Sequence, residues 1–168
     1  MRLELKDIIH VPGAVLPFQY EMDLSELDFY GERPFAEPVR IEGAVRNRAG
    51  LLELDAEAVT NLHLRCDSCG KPFQRLLELP IHWTLATELE NEADEDEFLL
   101  LDGSGLELDP AMSDELIFAI DTKNLCKEDC KGRCPRCGAD LNEGPCTCKP
   151  ELDPRFAALA QLLEQDDE

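Results

Sequence analysis

Eight cysteines are the residues of this chain best suited to chemistry, and they fall into four close pairs: Cys66/Cys69, Cys126/Cys130, Cys134/Cys137 and Cys146/Cys148. Two thiolates separated by two residues can chelate one ion, and zinc accepts four thiolates tetrahedrally at about 2.3 Å. Cys134-Pro135-Arg136-Cys137-Gly138 has the form of a zinc knuckle, in which the glycine lets backbone N–H groups turn toward the sulfurs. Cys66-Asp67-Ser68-Cys69-Gly70 sits at the turn between the two longest strand-like stretches. All eight cysteines are therefore metal-ligand candidates, with zinc the expected ion. The spacing leaves their partition open. Cys134, Cys137, Cys146 and Cys148 could form one site, with Cys66, Cys69, Cys126 and Cys130 forming a second that ties the tail to the sheet. Interleaved sets, or one site with several free cysteines, fit as well. An iron–sulfur cluster is the other group such thiolates would suit. His10, His63 and His82 lack ligand spacing, and His63 falls on the strand face opposite Cys66.

The rival chemistry is redox. A thiol oxidoreductase using Cys66 and Cys69 would want the first cysteine at a helix N-terminus within a βαβ pattern, whereas strands flank this motif. Energetics favour the metal. Between Thr122 and Pro150 the only sizeable apolar side chains besides cysteine are Leu125 and Leu141. Ordering backbone costs about 1–2 kcal/mol per residue, and a buried leucine returns only about 1.5–3 kcal/mol. A structural zinc site supplies roughly 10–16 kcal/mol, the scale required to order such a segment.

The elements that must position these cysteines are mostly strands. Leu52, Leu54, Ala56, Ala58, Leu62, Leu64 and Cys66 occupy even positions, and Phe73, Leu77, Leu79, Ile81, Trp83 and Leu85 odd ones. This period of two predicts a pair of half-buried strands. Val39, Ile41 and Val45 make a third run, ended by the turn-like Asn47-Arg48-Ala49-Gly50. Short connections predict an antiparallel meander. Asp109-Pro110 predicts a helix start, with Asp109 as N-cap, followed by an apolar stripe of Met112, Leu116, Ala119 and Ile120. Asp153-Pro154 repeats the signal ahead of Phe156, Leu159, Ala160 and Leu163. The expectation is an α+β fold: an antiparallel sheet packed by a few helices, with a zinc-ordered cysteine-rich segment near the C-terminus. Residues 1–121 form the β-rich core, including a solvated acidic loop at 88–97. Residues 122–150 form the zinc-binding segment, and 151–168 an amphipathic helix with an acidic tail.

The formal net charge is −21 while 43% of residues are hydrophobic. That balance supports a folded core and disfavours a broad electrostatic grip on nucleic acid or anionic membrane. It suits a basic partner such as a ribosomal protein. No signal peptide or membrane span is read, so a cytoplasmic, reducing setting is expected, where clustered cysteines bind metal rather than form disulfides. Within the acidic chain, Lys123, Lys127, Lys131, Arg133 and Arg136 make one locally positive stretch. These cations offset the charge of a tetrathiolate zinc centre, and they are also the candidate contacts for RNA phosphates.

Taken in order, the motifs resemble those of the YceD family, the large ribosomal RNA subunit accumulation proteins of bacteria and plastids. The resemblance rests on Cys66-x-x-Cys69-Gly-Lys-Pro-Phe73 between two strands, an acidic stretch, and a Leu-Asp-Pro helix start. It continues through Cys126-x3-Cys130-x-Gly132-x-Cys134-Pro-x-Cys137-Gly138-x-x-Leu141-Asn142-x3-Cys146-x-Cys148 to Asp153-Pro154-Arg155. It implies a role in accumulation or processing of 23S ribosomal RNA and large-subunit biogenesis, without an established catalytic centre. Its expected partners are the precursor RNA or a ribosomal protein. An acidic protein-binding module, or chaperone for a basic ribosomal protein, is the alternative.

Overall fold

Two long strands dominate the computed structural model, which describes residues 1–88 and 98–148. They are β4 (Leu51–Arg65) and β5 (Pro72–Ala86), each 15 residues long and paired antiparallel from Leu52↔Leu85 to Arg65↔Pro72. At about 3.3 Å per residue such a hairpin spans roughly 50 Å. Its inward positions are the ones the alternation predicts: Leu52, Leu54, Ala58, Leu62 and Leu64 are buried on β4, and Ile81 and Leu85 on β5. β2 (Val15–Met22) and β3 (Val39–Arg48) extend the sheet in the order β2-β3-β4-β5-β6, with β6 (Phe98–Leu100) at the far edge. A separate two-stranded ladder pairs β1 (Arg2–Glu4) with β7 (Gly105–Glu107), and α1 (Lys6–Ile9) follows β1.

The meander expectation needs one correction. β6 runs parallel to β5, with Thr84 opposite Phe98 and Ala86 opposite Leu100. Eleven residues separate Ala86 from Phe98, about the length a parallel connection needs, so the sheet is mixed. Of the predicted acidic loop at 88–97, residues 89–97 lie outside the described residues. So do residues 149–168, with the predicted C-terminal helix.

Two local devices fix the sheet. β3 continues through Arg48, and the turn to β4 is Ala49-Gly50, both with positive φ (55° and 101°), the two-residue geometry that matches strand twist. Asn47, 1% exposed, locks this corner. Its amide donates to the carbonyls of Ile8 and Ile9 (2.8 and 2.7 Å), and its Oδ1 accepts from the Gly50 N–H (2.8 Å). Pro80 is tolerated inside β5 because, among the described residues, β6 pairs only with Thr84 to Ala86 and leaves that side of Pro80 uncovered.

Helix α2 (Leu108–Phe118) closes the inner face of the sheet, burying Leu108, Met112 and Leu116, while Ile120 follows just past its end. Trp83 Nε1 donates to Glu115 across this contact (3.2 Å). The N-cap is Glu107 rather than Asp109, and no side chain caps the helix. Asp109 lies in the first turn, where its carboxylate pairs with the Met1 ammonium. The helix begins at Leu108, one residue before Asp109, so Asp109 is already past the cap position.

Candidate metal centre

Beyond Val59, strand β3 no longer accompanies β4, and the far half of the β4–β5 hairpin carries the Cys66–Lys71 turn at its tip. The Gly70 N–H donates to the Cys66 carbonyl (2.7 Å) and the Cys66 N–H to Lys71 O (2.9 Å). The tail repeats this turn bond for bond. The Gly138 N–H donates to Cys134 O (2.9 Å), and the Cys134 N–H to Ala139 O (2.8 Å). Gly70 and Gly138 have φ of 70° and 72°, the left-handed conformation that glycine adopts without a Cβ penalty. The chain thus holds two equivalent knuckles, one on the sheet and one in the tail.

Each knuckle is completed by a second cysteine pair from the tail. The Sγ atoms of Cys66, Cys69, Cys126 and Cys130 lie within 4.8 Å of one another, as do those of Cys134, Cys137, Cys146 and Cys148. Cys66 Sγ is 3.7 Å from Cys130 Sγ, and Cys69 Sγ 3.7 Å from Cys126 Sγ. A tetrahedron with Zn–S bonds of about 2.3 Å has S···S edges of roughly 3.8 Å, whereas a disulfide needs about 2.05 Å. The donor set therefore fits a four-coordinate thiophilic ion, and either group could hold one. This grouping is the division in which one site bridges tail and sheet. Cys66, Cys69 and Cys134 are buried and Cys137 is exposed, so the bridging set is the more enclosed of the two.

Backbone donors tune the sulfurs. In the first set, burial pushes the Cys66 thiol up, but the N–H groups of Cys126, Cys69 and Ser68 outweigh it and bring it to about 6. Burial and the neighbouring sulfurs of Cys69 and Cys130 push Cys126 up to about 12. In the second set, the N–H groups of Cys137 and Arg136 bring Cys134 to about 6, while the Cys137 sulfur and burial raise Cys148 to about 12. Four thiols in one small volume cannot all ionise unless a cation sits among them.

Polar contacts dock the tail on the hairpin tip. Arg133 donates from Nε to Cys69 O (2.6 Å) and from its backbone N–H to Ser68 O (3.1 Å). Lys71 pairs with Asp140 (2.7 Å) and Glu143 (3.0 Å), and Arg75 with Asp121 (2.6 Å). Hydrogen bonding to Lys71 first, then to the Asn142 N–H, holds the Asp140 carboxyl down at about 2. Asn142 ties its own loop to the first centre: its Nδ2 donates to Cys130 Sγ (3.6 Å), and its Oδ1 accepts from the Lys131 N–H (3.0 Å). Of the five basic residues predicted near the metal, Arg133 is tied to the knuckle, and Lys127 approaches Asp129 (3.5 Å). The side chains of Lys123, Lys131 and Arg136 belong to exposed residues. The histidines lie away from both sulfur groups, with His63 beside Gln74 and His82 on Asp55. Sequence reasoning missed Asp140 and Glu143, since nothing in their types or spacing announces a partner, Lys71, some 70 residues away on the hairpin.

The YceD family model, described as large ribosomal RNA subunit accumulation protein YceD, matches residues 54–163. That span runs through both strands of the hairpin, helix α2 and all eight cysteines. Among curated proteins, the chain is 24% identical over 179 residues to protein YlbN of Bacillus subtilis, covering 100% of this chain and 99% of that one. It is 30% identical over 155 residues to the large ribosomal RNA subunit accumulation protein YCED homolog 1, chloroplastic, of Zea mays, covering 74% of this chain and 53% of the plant protein. The Arabidopsis thaliana homolog 1 is 26% identical over 162 residues, covering 79% and 50%. The chain thus spans about half the length of the plant relatives. No solved structure matches it. Among the described residues, no helix is long and apolar enough to cross a membrane.

Proposed function

The chain belongs to the YceD family of large ribosomal RNA subunit accumulation proteins, and on that premise we propose that it is a non-catalytic ribosome-biogenesis factor with one zinc ion in each tetracysteine group. It would support accumulation or processing of 23S ribosomal RNA and large-subunit assembly in the cytoplasm. The observation that carries this reading is the family match across both the hairpin knuckle and the tail it grips. Zinc, when bound, supplies no chemistry beyond cross-linking. The residues of the first group would fasten the tail to the sheet and hold the stretch that carries Lys123, Lys127 and Lys131, and those of the second would shape the loop that carries Arg136.

Those cations support contact with phosphates of the precursor RNA. The net charge of −21 supports the second reading, a module for a basic ribosomal protein. RNA contacts of this kind weaken steeply with salt, so a salt titration of binding to a precursor fragment separates the two. The thiol oxidoreductase reading has less support: Cys66 stands at a strand end facing Cys130, not at a helix N-terminus. An insulin-reduction assay should show no turnover. In a deletion strain, the ratio of large to small ribosomal RNA should fall, and the intact gene should restore it. A normal ratio and normal subunit profile would refute the reading.

A further inference from the structure

The two most exposed large apolar side chains of the described residues are aromatic, and they line the same cleft. Tyr30 is 93% exposed and Phe118 84%, against 56% for the next, Leu76. The cleft, about 640 Å³, opens between the Phe29–Glu32 turn and the C-terminal end of α2, with Leu64 and Ile120 among the residues beneath it. That volume accommodates one or two side chains of a ligand.

Folding alone does not explain Tyr30. It sits at φ 54° in a two-residue turn whose next residue, Gly31, has φ 83°. Such turns favour glycine or asparagine, and a bulky residue there is a conformational outlier. The turn is closed by reciprocal backbone bonds between Phe29 and Glu32 (2.8 and 3.1 Å) and by the Gly31 N–H on Asp28 Oδ1 (3.0 Å). The ring of Phe29 meets that of Tyr30 edge-on at 4.8 Å, fixing the phenol without covering it. A strained backbone that exposes an aromatic ring points to a ligand for the ring.

Charge indicates which ligand. The ionisable lining is Glu32, Asp67 and Asp121 against Arg65 alone. Arg65 contacts Glu32 (3.3 Å), Asp121 is held by Arg75 from behind, and Asp67 accepts the Asn124 N–H (2.5 Å). Acids outnumber bases three to one in the lining of a strongly acidic chain, which favours a cationic segment over phosphates, and the exposed rings of Tyr30 and Phe118 offer a guanidinium an aromatic surface. We propose that this cleft is a docking site for an extended, arginine- and lysine-rich segment of a partner protein, which places an apolar side chain between Tyr30 and Phe118. The proposal goes beyond the ribosome-biogenesis reading, and purified protein tests it, so either can fail without the other.

The probe is a short fluorescent peptide alternating arginine and leucine around one phenylalanine. Its controls are the same peptide with serine in place of the apolar residues, and a single-stranded oligouridylate. Tyr30→Asn keeps a residue that tolerates the turn, and Phe118→Gln changes an exposed position. Each should weaken the apolar peptide roughly tenfold while the unfolding midpoint is unchanged. The serine peptide should bind more weakly than the apolar one by a similar factor. In the unmodified protein, the peptide should shift the amide resonances of Phe118, Thr122 and Asn124, a readout that survives even if a variant misfolds. Three results would overturn the proposal. One is equal affinity for both peptides or no effect of the ring variants. Another is ring-dependent binding of the oligouridylate in place of the peptide. The third is binding that emerges only after residues 149–168 are removed, which would make the chain's own end the occupant.

Discussion

Removing zinc from the reduced protein should release residues 122–148 and spare the sheet. The contacts that dock this segment, apart from the sulfurs, are hydrogen bonds such as Arg133 to Cys69 O and ion pairs such as Lys71 to Asp140. A net hydrogen bond contributes about 0.5–1.5 kcal/mol and a solvent-exposed ion pair about 0–1 kcal/mol. One structural zinc contributes roughly 10–16 kcal/mol, more than these contacts combined, and Leu125 and Leu141 are only half-buried. The sheet instead buries Phe35, Ile41, Leu54, Leu62 and Leu116 completely, so its stability should hardly register the ion. Metal analysis should give two zinc ions per chain. After chelation under reducing conditions, hydrogen exchange should become fast at the amides of Arg133, Cys134, Gly138 and Leu141, all of which are bonded in the docked tail. Amides of β3 to β5 should stay protected. Persistent protection of the tail in metal-free, reduced protein would refute the reasoning, since neither burial nor a disulfide could then account for its order.

Substituting serine at both Cys126 and Cys130 should remove one zinc and undock the tail, whereas serine at Cys134 and Cys137 should remove one zinc yet leave Asp67 paired with Asn124, as limited proteolysis would reveal. Asn47→Ala strands the Ile8 and Ile9 carbonyls and the Gly50 N–H, so denaturant unfolding should show a loss of about 2–4 kcal/mol. Hydrogen bonds to Asp140 and then Glu143 raise the Lys71 pKa above its ordinary 10.5, so its contribution is complete below that pH and fades as pH climbs toward the raised folded value. Lys71→Met should flatten that alkaline part of the stability profile of the zinc-loaded protein, and an unchanged slope would show that the pair contributes nothing.

The hairpin was legible because its signal is long. Seven even positions and six odd ones leave little doubt about which face is buried, and the strands end within a residue of the pattern. Elements of three or four residues carry no period, so β1, β7 and α1 were invisible, although together they bury Leu3, Ile8 and Leu106. Asp109 misled for a different reason. Asp-Pro reads as a cap on local grounds, but buried Leu108 is drawn into the helix and shifts its start one residue earlier. The cysteines were recognisable as ligands from spacing alone. Their partition was not, because it depends on where the tail crosses the hairpin tip. That crossing is set by Lys71, Arg75 and Asp67 finding partners far away in the chain.

The division of the ligands has a consequence for how the protein assembles. Two sulfurs of the first group, Cys66 and Cys69, belong to a turn whose strands fold on their own apolar faces, and that turn is already closed by backbone hydrogen bonds. The second group draws all four sulfurs from a segment with almost no core. An ion arriving at Cys66 and Cys69 meets a preformed half-site and needs only Cys126 and Cys130 to close it. An ion at Cys134 and Cys137 must order its whole surroundings. Closing the first group fixes Cys130, onto which Asn142 donates, and brings Arg133 into reach of the Cys69 carbonyl on the hairpin. The first centre should therefore fill before the second, with the sheet acting as the template on which the tail folds.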